Sequence, residues 1–147
     1  MAGTSNKAIR SQLTDICRRY GIEVLYAFGS RAKEIAEWIS GQKKAASHLM
    51  SDVDIGVLPQ AERSLNVRDK VHLMADLEDL FEVGRVDLVV LSEASAFLAL
   101  EVIQGEILYE VDPDRTAEYE LYVMRRAGDL ALFERERLEQ ILTQKAL

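Results

Sequence analysis

Three short runs of apolar, strand-forming residues are the feature of this sequence that most constrains its fold. The runs read EVLYAF, DVDIGVL and RVDLVVL. Longer segments separate them, and in these segments apolar residues recur at helical spacing, as in RAKEIAEWI. An alternation of strand-like and helix-like segments is typical of α/β or α+β domains, in which helices cover a small sheet. We therefore expect a small sheet flanked by helices.

The same periodicity predicts where the helices lie. The expected helices are about Asn6–Tyr20, Arg31–Ile39, Asn66–Phe81, Ala94–Ile103 and Asp114 to the end. The residues EILYEV form a candidate edge strand, and Gly128 is a candidate break in the last helix. A chain of 147 residues, 48% of them hydrophobic, is expected to form one domain over residues 1–147. Its core would span about residues 6–111, followed by a helical segment of about residues 113–147.

Two of the apolar runs contain aspartates at positions that otherwise read as buried strand. Aspartate is rare in strands, and burying an unpaired carboxylate is costly. Residues i and i+2 of a strand point to the same face, so Asp52 and Asp54 project side by side. Asp87 repeats the arrangement in the third run, and pairing of the two strands would bring the three carboxylates to one patch. The alternatives are acids solvated on an open face or charges that protect an edge strand.

Three converging carboxylates repel one another unless a cation lies between them. All-oxygen ligation suits Mg²⁺ or Mn²⁺, which complete their coordination with water and phosphate oxygens. Two such ions, roughly 3.5–4 Å apart, would bracket an in-line phosphoryl or nucleotidyl transfer. The net charge of −7 argues against direct binding of nucleic-acid phosphates, which requires clustered Lys and Arg. It is compatible with a nucleotide that is held through a divalent cation.

Gly29 and Ser30 follow the first strand-like run and precede a predicted helix. Glycine permits close approach of the backbone to a ligand, and serine is a preferred helix N-cap. A helix that begins at this point would present N–H groups and a positive dipole end to a phosphate. The alternative is an ordinary strand-to-helix turn. The Gly-Ser pair therefore supports a phosphate-binding site only in combination with the aspartates.

In combination, three segments resemble the signature of the minimal nucleotidyltransferases (MNT) of the DNA polymerase β superfamily. They are FGSRA, SDVDIGVL and VDLVVL, and the later GEILYEVDPDR is similar to the region that follows the core in this family. The resemblance implies a polymerase β-like fold with a small mixed sheet and a long C-terminal helix. It implies that Asp52, Asp54 and Asp87 are catalytic acids and metal ligands. It also implies that Gly29 and Ser30, with Arg31 beside them or at the surface, bind the nucleotide phosphates.

The resemblance further implies an enzyme that uses two Mg²⁺ or Mn²⁺ ions and ATP. Minimal nucleotidyltransferases commonly pair with a HEPN protein in toxin–antitoxin modules, where the MNT protein acts as antitoxin by transferring AMP to the HEPN toxin. Two alternatives remain open. One is transfer to a small molecule, as in antibiotic-modifying relatives, and the other is a non-catalytic antitoxin that masks its partner by binding. Homo-oligomerisation is also left open.

One departure from the family pattern is the length between the Gly-Ser pair and the first aspartate. Residues 31–51 intervene, roughly twice the usual spacing, and the extra residues around Ser40–Met50 are interpreted as a lid, a partner-binding loop or a tolerated surface insertion.

The single cysteine, Cys17, excludes an internal disulfide bond. The first residues lack the apolar core of a secretory signal, and no apolar run reaches the roughly 20 residues of a membrane span. These features predict a cytoplasmic protein without membrane association.

Overall fold

Five helices and four strands alternate along residues 2–41 and 52–145, which are the residues that the computed structural model describes. The helices are α1 (Ala2–Tyr20), α2 (Ala32–Ser40), α3 (Val67–Phe81), α4 (Ala96–Ile103) and α5 (Pro113–Lys145). The strands are β1 (Ile22–Phe28), β2 (Val53–Pro59), β3 (Val86–Val90) and β4 (Glu106–Glu110), and a 3₁₀ turn at Leu91–Glu93 follows β3. The three apolar runs therefore form β1, β2 and β3, as predicted.

The four strands form one mixed sheet in the order β3-β2-β1-β4. The central strand β1 is antiparallel to both β2 and β4, whereas β2 and β3 are parallel. A parallel pair requires a crossover connection, and α3 supplies it between β2 and β3. The expected α/β (α+β) architecture with a small mixed sheet is confirmed, and EILYEV forms the edge strand.

Strand alternation divides the apolar residues of the sheet between two faces. On β2, Val53, Ile55 and Val57 are fully or almost fully buried in a core that includes residues of α1, α2 and α3. The opposite face buries Tyr26 of β1 and Val102 of α4 in a second, smaller core that also includes residues of α5. Even-numbered residues of β2, among them Asp54, therefore face the side on which α4 and α5 lie.

The predicted break in the last helix is wrong. α5 continues without interruption from Pro113 to Lys145 and passes through Gly128. Glycine in a helix interior costs only about 1 kcal/mol relative to alanine, which flanking helix-forming residues readily offset. Among the described residues, no helix combines the length and the apolar composition that crossing a membrane requires.

Candidate active site

Asp54 and Asp87 are register partners on the parallel strands β2 and β3. Adjacent strands lie about 4.8 Å apart, and register partners on a parallel pair point to the same face. The two carboxylates therefore emerge side by side on the face covered by α4. Asp52 lies two residues before Asp54, immediately ahead of β2, and is exposed. The structure thus brings the three predicted acids to one edge of the sheet.

The electrostatics of Asp54 show that these acids interact. Burial raises the pKa of the Asp54 carboxyl above its ordinary value, and the negative charges of Asp87 and Asp52 raise it further. A carboxyl whose charged form is disfavoured by burial and by like charges gains most from a bound cation. The local electrostatics therefore favour a metal ion at this patch.

The carboxyl of Asp87 has a protein partner in this structure. Nη2 of Arg85 lies 3.0 Å from Asp87 Oδ1 in an ion pair, and both side chains are substantially exposed to solvent. Exposed ion pairs of this kind contribute at most about 1 kcal/mol, so Arg85 holds Asp87 only weakly. Asp87 is thus accessible to a ligand despite its ion pair.

The donor chemistry of the patch fits Mg²⁺ or Mn²⁺, because its oxygens come from carboxylates that already face one another. Within residues 2–41 and 52–145, however, no three acidic, histidine or cysteine side chains lie close enough to hold one ion together. Asp54 and Asp87 supply the adjacent pair. Asp52 would join them by a side-chain rotation, which its exposed position before the strand permits.

Gly29 follows β1 and lies directly against Asp54. Its φ of 76° is in the left-handed region, which glycine adopts at little cost. A Cβ atom at this position would stand 2.5 Å from Asp54 Oδ2, closer than any real contact. Gly29 therefore keeps open the space beside the Asp54 carboxylate, and the Gly-Ser turn and the aspartates lie at one site.

Ser30 and Arg31 differ from their predicted arrangement. The N-cap of α2 is Arg31, with φ −105° and ψ 5°, and no side chain caps the helix, so the prediction that Ser30 is the cap is wrong. Ser30 lies one residue earlier and is exposed. The tight turn causes this shift, because the N–H of Ala32 already donates to the carbonyl of Gly29 at 3.3 Å. The first N–H groups of α2 nevertheless begin beside Gly29 and Ser30.

Arg31 is buried, with 7% of its surface exposed, so the alternative of a surface role is wrong. Its guanidinium donates to both carboxylate oxygens of Glu34, at 3.4 and 3.5 Å, within the first turn of α2. A buried arginine at the start of this helix places a fixed positive charge close to the Gly-Ser turn.

Glu101 of α4 is a further acid at this site, and the sequence analysis did not identify it. Its charge also raises the pKa of Asp54, after the larger effects of burial, Asp87 and Asp52. The helix α4 approaches closely because Gly56 has no side chain: a Cβ atom there would collide with Cγ1 of Val102. The available signal was composition, because Glu101 is the only charged residue in the apolar helix AFLALEVI.

The loop predicted around Ser40–Met50 lies, from residue 42 onward, outside the described residues. Its role as a lid, a partner-binding loop or a surface insertion therefore stays a prediction. The described part of the site consists of the Gly-Ser turn, the N-terminal ends of β2 and β3, and α4.

Comparison with known proteins agrees with this geometry. The family described as polymerase beta, nucleotidyltransferase matches residues 11–114, which include the Gly-Ser turn and all three aspartates. No curated protein matches the chain at a significant level. The family match covers most of the chain, from α1 to the start of α5.

Solved structures share the fold at low sequence identity. A chain from the crystal structure of a toxin–antitoxin MntA–HepT mutant, in which two aspartates are replaced by glutamates, has a TM-score of 0.64 at 20% identity and covers 90% of this chain and 98% of its own. A chain from a tri-AMPylated Shewanella oneidensis HEPN toxin in complex with MNT antitoxin has a TM-score of 0.61 at 20% identity, covering 97% and 99%. A toxin–antitoxin structure with AMP-PNP gives a TM-score of 0.60 at 19% identity, covering 90% and 98%.

These likenesses establish the fold, and the family match establishes the classification. The matched residues include the register partners Asp54 and Asp87 and the turn at Gly29. The chain belongs to the polymerase β nucleotidyltransferase family and has an MNT-like fold.

Proposed function

We propose that this chain is a metal-dependent nucleotidyltransferase that transfers AMP from ATP to a hydroxyl group of a HEPN-type partner protein and so acts as its antitoxin. The observation that carries the proposal is the placement of Asp54 and Asp87 in register on β2 and β3, next to the side-chain-free space at Gly29. The family match and the MNT fold support the reaction class. The tri-AMPylated HEPN toxin of the similar complex supports the acceptor.

In this proposal Asp52, Asp54 and Asp87 hold Mg²⁺ or Mn²⁺, with two ions in the complete site. When bound, the ions supply charge neutralisation and in-line orientation of the triphosphate. Gly29, Ser30 and the first N–H groups of α2 receive the β- and γ-phosphates, because a helix N-terminus favours anions.

The transfer itself requires one proton acceptor. The acceptor hydroxyl forms a bond to the α-phosphorus while the bond to the bridging oxygen of the β-phosphate breaks, and pyrophosphate leaves toward the Gly-Ser turn. In this proposal Asp87 takes the hydroxyl proton, because its side chain is 41% exposed and an acceptor can reach it. Positioning by the chain supplies much of the rate, since the protein forms no covalent intermediate.

A non-catalytic antitoxin is the second candidate function. The observation in its favour is that Asp87 pairs with Arg85 and that no three ligating side chains converge in the described part of the chain. Such a protein would neutralise its partner by contact alone and leave it unmodified. A small-molecule acceptor is the remaining alternative, and the same assay can detect it.

Intact-mass spectrometry tests the proposal directly. The protein is incubated with ATP, Mg²⁺ and a candidate HEPN partner protein, and we expect a mass gain of one or more AMP groups on the HEPN protein. The double variant Asp52→Asn, Asp54→Asn should abolish the gain, whereas Asp79→Asn, an exposed acid on α3, should not change it. Modification that persists in the double variant contradicts the assignment of these acids. Neutralisation of the HEPN protein without any mass change favours the masking function.

A further inference from the structure

The strand β3 lies at one edge of the sheet and carries Asp87 as its second residue. It has five residues, and in the described sheet its only neighbouring strand is β2. The ends of short edge strands open easily, because part of their backbone has no partner within the sheet. The position of the Asp87 carboxylate relative to β2 therefore depends on what holds the first residues of β3.

The backbone at the start of β3 forms hydrogen bonds on alternate sides of the strand. The carbonyl of Arg85 accepts the N–H of Val53 at 3.1 Å, so Arg85 bonds toward β2. In a parallel pair alternate residues bond to the same neighbour, which directs the N–H of Val86 away from β2 to the open edge. This N–H needs a partner from outside the sheet.

Glu78 of α3 supplies that partner. Its Oε1 accepts the N–H of Val86 at 3.1 Å in partly buried surroundings. A carboxylate is a stronger acceptor for a backbone N–H than a neutral oxygen. The side chain of Glu78 thus takes the place that a further strand would have, one residue before Asp87.

Glu78 is itself fixed at the end of α3. Its backbone carbonyl accepts the N–H groups of Glu82 and Val83, the latter at 3.1 Å. Phe81, three residues further along the helix, is completely buried in the larger core. The carbonyl and the carboxylate of one residue therefore hold both ends of the connection 82–85, and they couple the start of β3 to the packed end of α3.

This hydrogen bond acts next to the two aspartates of the site. The pair Val53–Val86 in the ladder of β2 and β3 directly precedes the pair Asp54–Asp87. The ladder bond of Val53 holds β3 from the β2 side, and the Glu78 carboxylate holds it from the α3 side. Ligand oxygens must be placed to within about 0.5 Å, so a small shift of the strand suffices to weaken a bound ion.

Glu78 acts through the backbone of β3, because it lies on the other side of the sheet from the site. The helix α3 packs on the core that includes Val53, whereas Asp54 faces the side on which α4 and α5 lie. A purely electrostatic attraction between the charge of Glu78 and a cation is the alternative mechanism. The two mechanisms differ in what they require, which is the reach of the side chain in one case and its charge in the other.

We propose that Glu78 is a positioning residue of the nucleotidyltransferase site, which holds Asp87 in register with Asp54 by accepting the N–H of Val86. The inference rests on the proposed function in taking Asp87 as a ligand of Mg²⁺ or Mn²⁺. It assigns to α3 a task beyond core packing and beyond the crossover between β2 and β3. The length of the Glu78 side chain is then the property that sets the affinity for the metal ion.

Two conservative variants separate reach from charge. Glu78→Asp keeps the charge but shortens the side chain by one methylene, which withdraws the carboxylate from Val86. Glu78→Gln keeps the length and an acceptor oxygen but removes the charge. Binding of Mn²⁺ to the nucleotide-free protein is measured by electron paramagnetic resonance. We expect the Kd for Mn²⁺ to rise about tenfold in Glu78→Asp and to stay within about threefold of the wild-type value in Glu78→Gln.

Asp79→Asn is the matched control, because it removes the charge of the next acid on α3, which is exposed. It should leave the Kd for Mn²⁺ unchanged. Hydrogen exchange gives a second measurement: the amide of Val86 should exchange about tenfold faster in Glu78→Asp and at nearly the wild-type rate in Glu78→Gln. In the AMP-transfer assay at fixed Mn²⁺, kcat should fall in Glu78→Asp, whereas KM for the HEPN protein should not change.

Three results would overturn the inference. They are an unchanged Kd for Mn²⁺ in Glu78→Asp, even with lower stability in urea, a larger rise in Glu78→Gln than in Glu78→Asp, and an equal rise in Asp79→Asn. The second result would assign the effect to charge. Absence of Mn²⁺ binding by the wild type refutes the inference as well, since Asp87 would then be no metal ligand. If the wild type binds Mn²⁺ but transfers no AMP, only the proposed function fails, and the order of the two Glu78 variants still decides the role of this residue.

Discussion

Asp54 on β2 and Asp87 on β3 are register partners in the parallel half of the sheet, so two carboxylates face the same side one strand apart. Their mutual repulsion raises the pKa of Asp54 beyond the effect of its burial. Folding therefore stabilises the protonated form of Asp54, and its ionised form carries an energetic cost at neutral pH. Function and stability are in conflict at this residue.

Asp54→Asn is expected to raise the melting temperature at pH 7 in EDTA. Because the folded-state pKa is raised, the stabilisation from protonated Asp54 is complete below the unfolded pKa of about 3.9 and is lost as the pH rises through the folded pKa. The difference in Tm between variant and wild type should therefore shrink toward pH 3. Calorimetry between pH 3 and pH 8 measures it, and Mg²⁺ should raise the Tm of the wild type only. A variant less stable than the wild type at pH 7 would contradict this electrostatic assignment.

Gly29→Ala is expected to destabilise the fold by about 1–2 kcal/mol, because alanine is strained in the left-handed region. Its Cβ would also push the Asp54 carboxylate, which stands 2.5 Å from that position, so AMP transfer should fall more than stability does. Urea unfolding and the mass assay measure the two effects. Gly84→Ala is the control, because nothing lies within 4 Å of the Cβ position of Gly84. Its free energy of unfolding should stay within about 0.5 kcal/mol of the wild-type value.

Gly56→Ala is expected to separate α4 from the sheet. The new methyl group would collide with Cγ1 of Val102, and overpacking of this kind costs about 1–3 kcal/mol. Val102→Ala removes the colliding atom, so the double variant should be less destabilised than the sum of the single variants. Chemical denaturation of all four proteins gives the coupling energy. Simple additivity would mean that the two positions are not in contact.

Tyr26→Phe removes the hydrogen bond by which Tyr26 Oη donates to Glu120 Oε1 at 2.9 Å, connecting β1 to α5. The expected loss is about 1.5 kcal/mol, because the acceptor is charged. Burial and the Glu120 carboxylate raise the pKa of Tyr26, so its contribution is present below the ordinary pKa of about 10 and is lost at higher pH. The free energy of unfolding should therefore change less between pH 7 and pH 11 in the variant than in the wild type. Tyr122→Phe, at an exposed position, is the control.

Gly128→Ala is expected to stabilise the exposed end of α5 by about 1 kcal/mol, since the helix is unbroken there and the position has open space for a methyl group. Global unfolding would scarcely report this change, because residues 128–144 do not pack on the core. Hydrogen exchange measures it directly, and amides on either side of residue 128 should exchange about fivefold more slowly. Unchanged exchange would indicate that this part of the helix does not open separately.

Much of the fold was predictable from local patterns. Short apolar runs identified β1, β2 and β3, helical spacing identified the helices, and the edge strand β4 was recognised from EILYEV. The same patterns singled out Asp52, Asp54 and Asp87, because acids are unfavourable inside apolar strands. Local rules failed where neighbouring turns compete: the Gly29 turn moved the cap of α2 from Ser30 to Arg31.

The sequence by itself determined which residues form strands and helices and which acids stand on them, because hydrophobic periodicity and the cost of burying charge act along the chain. Only the tertiary structure decided that β2 and β3 pair in register, that Gly29 adjoins Asp54, and that α4 brings Glu101 to the same site. These relationships join residues far apart in sequence. They depend on how helices and strands pack, and local sequence patterns carry no record of that packing.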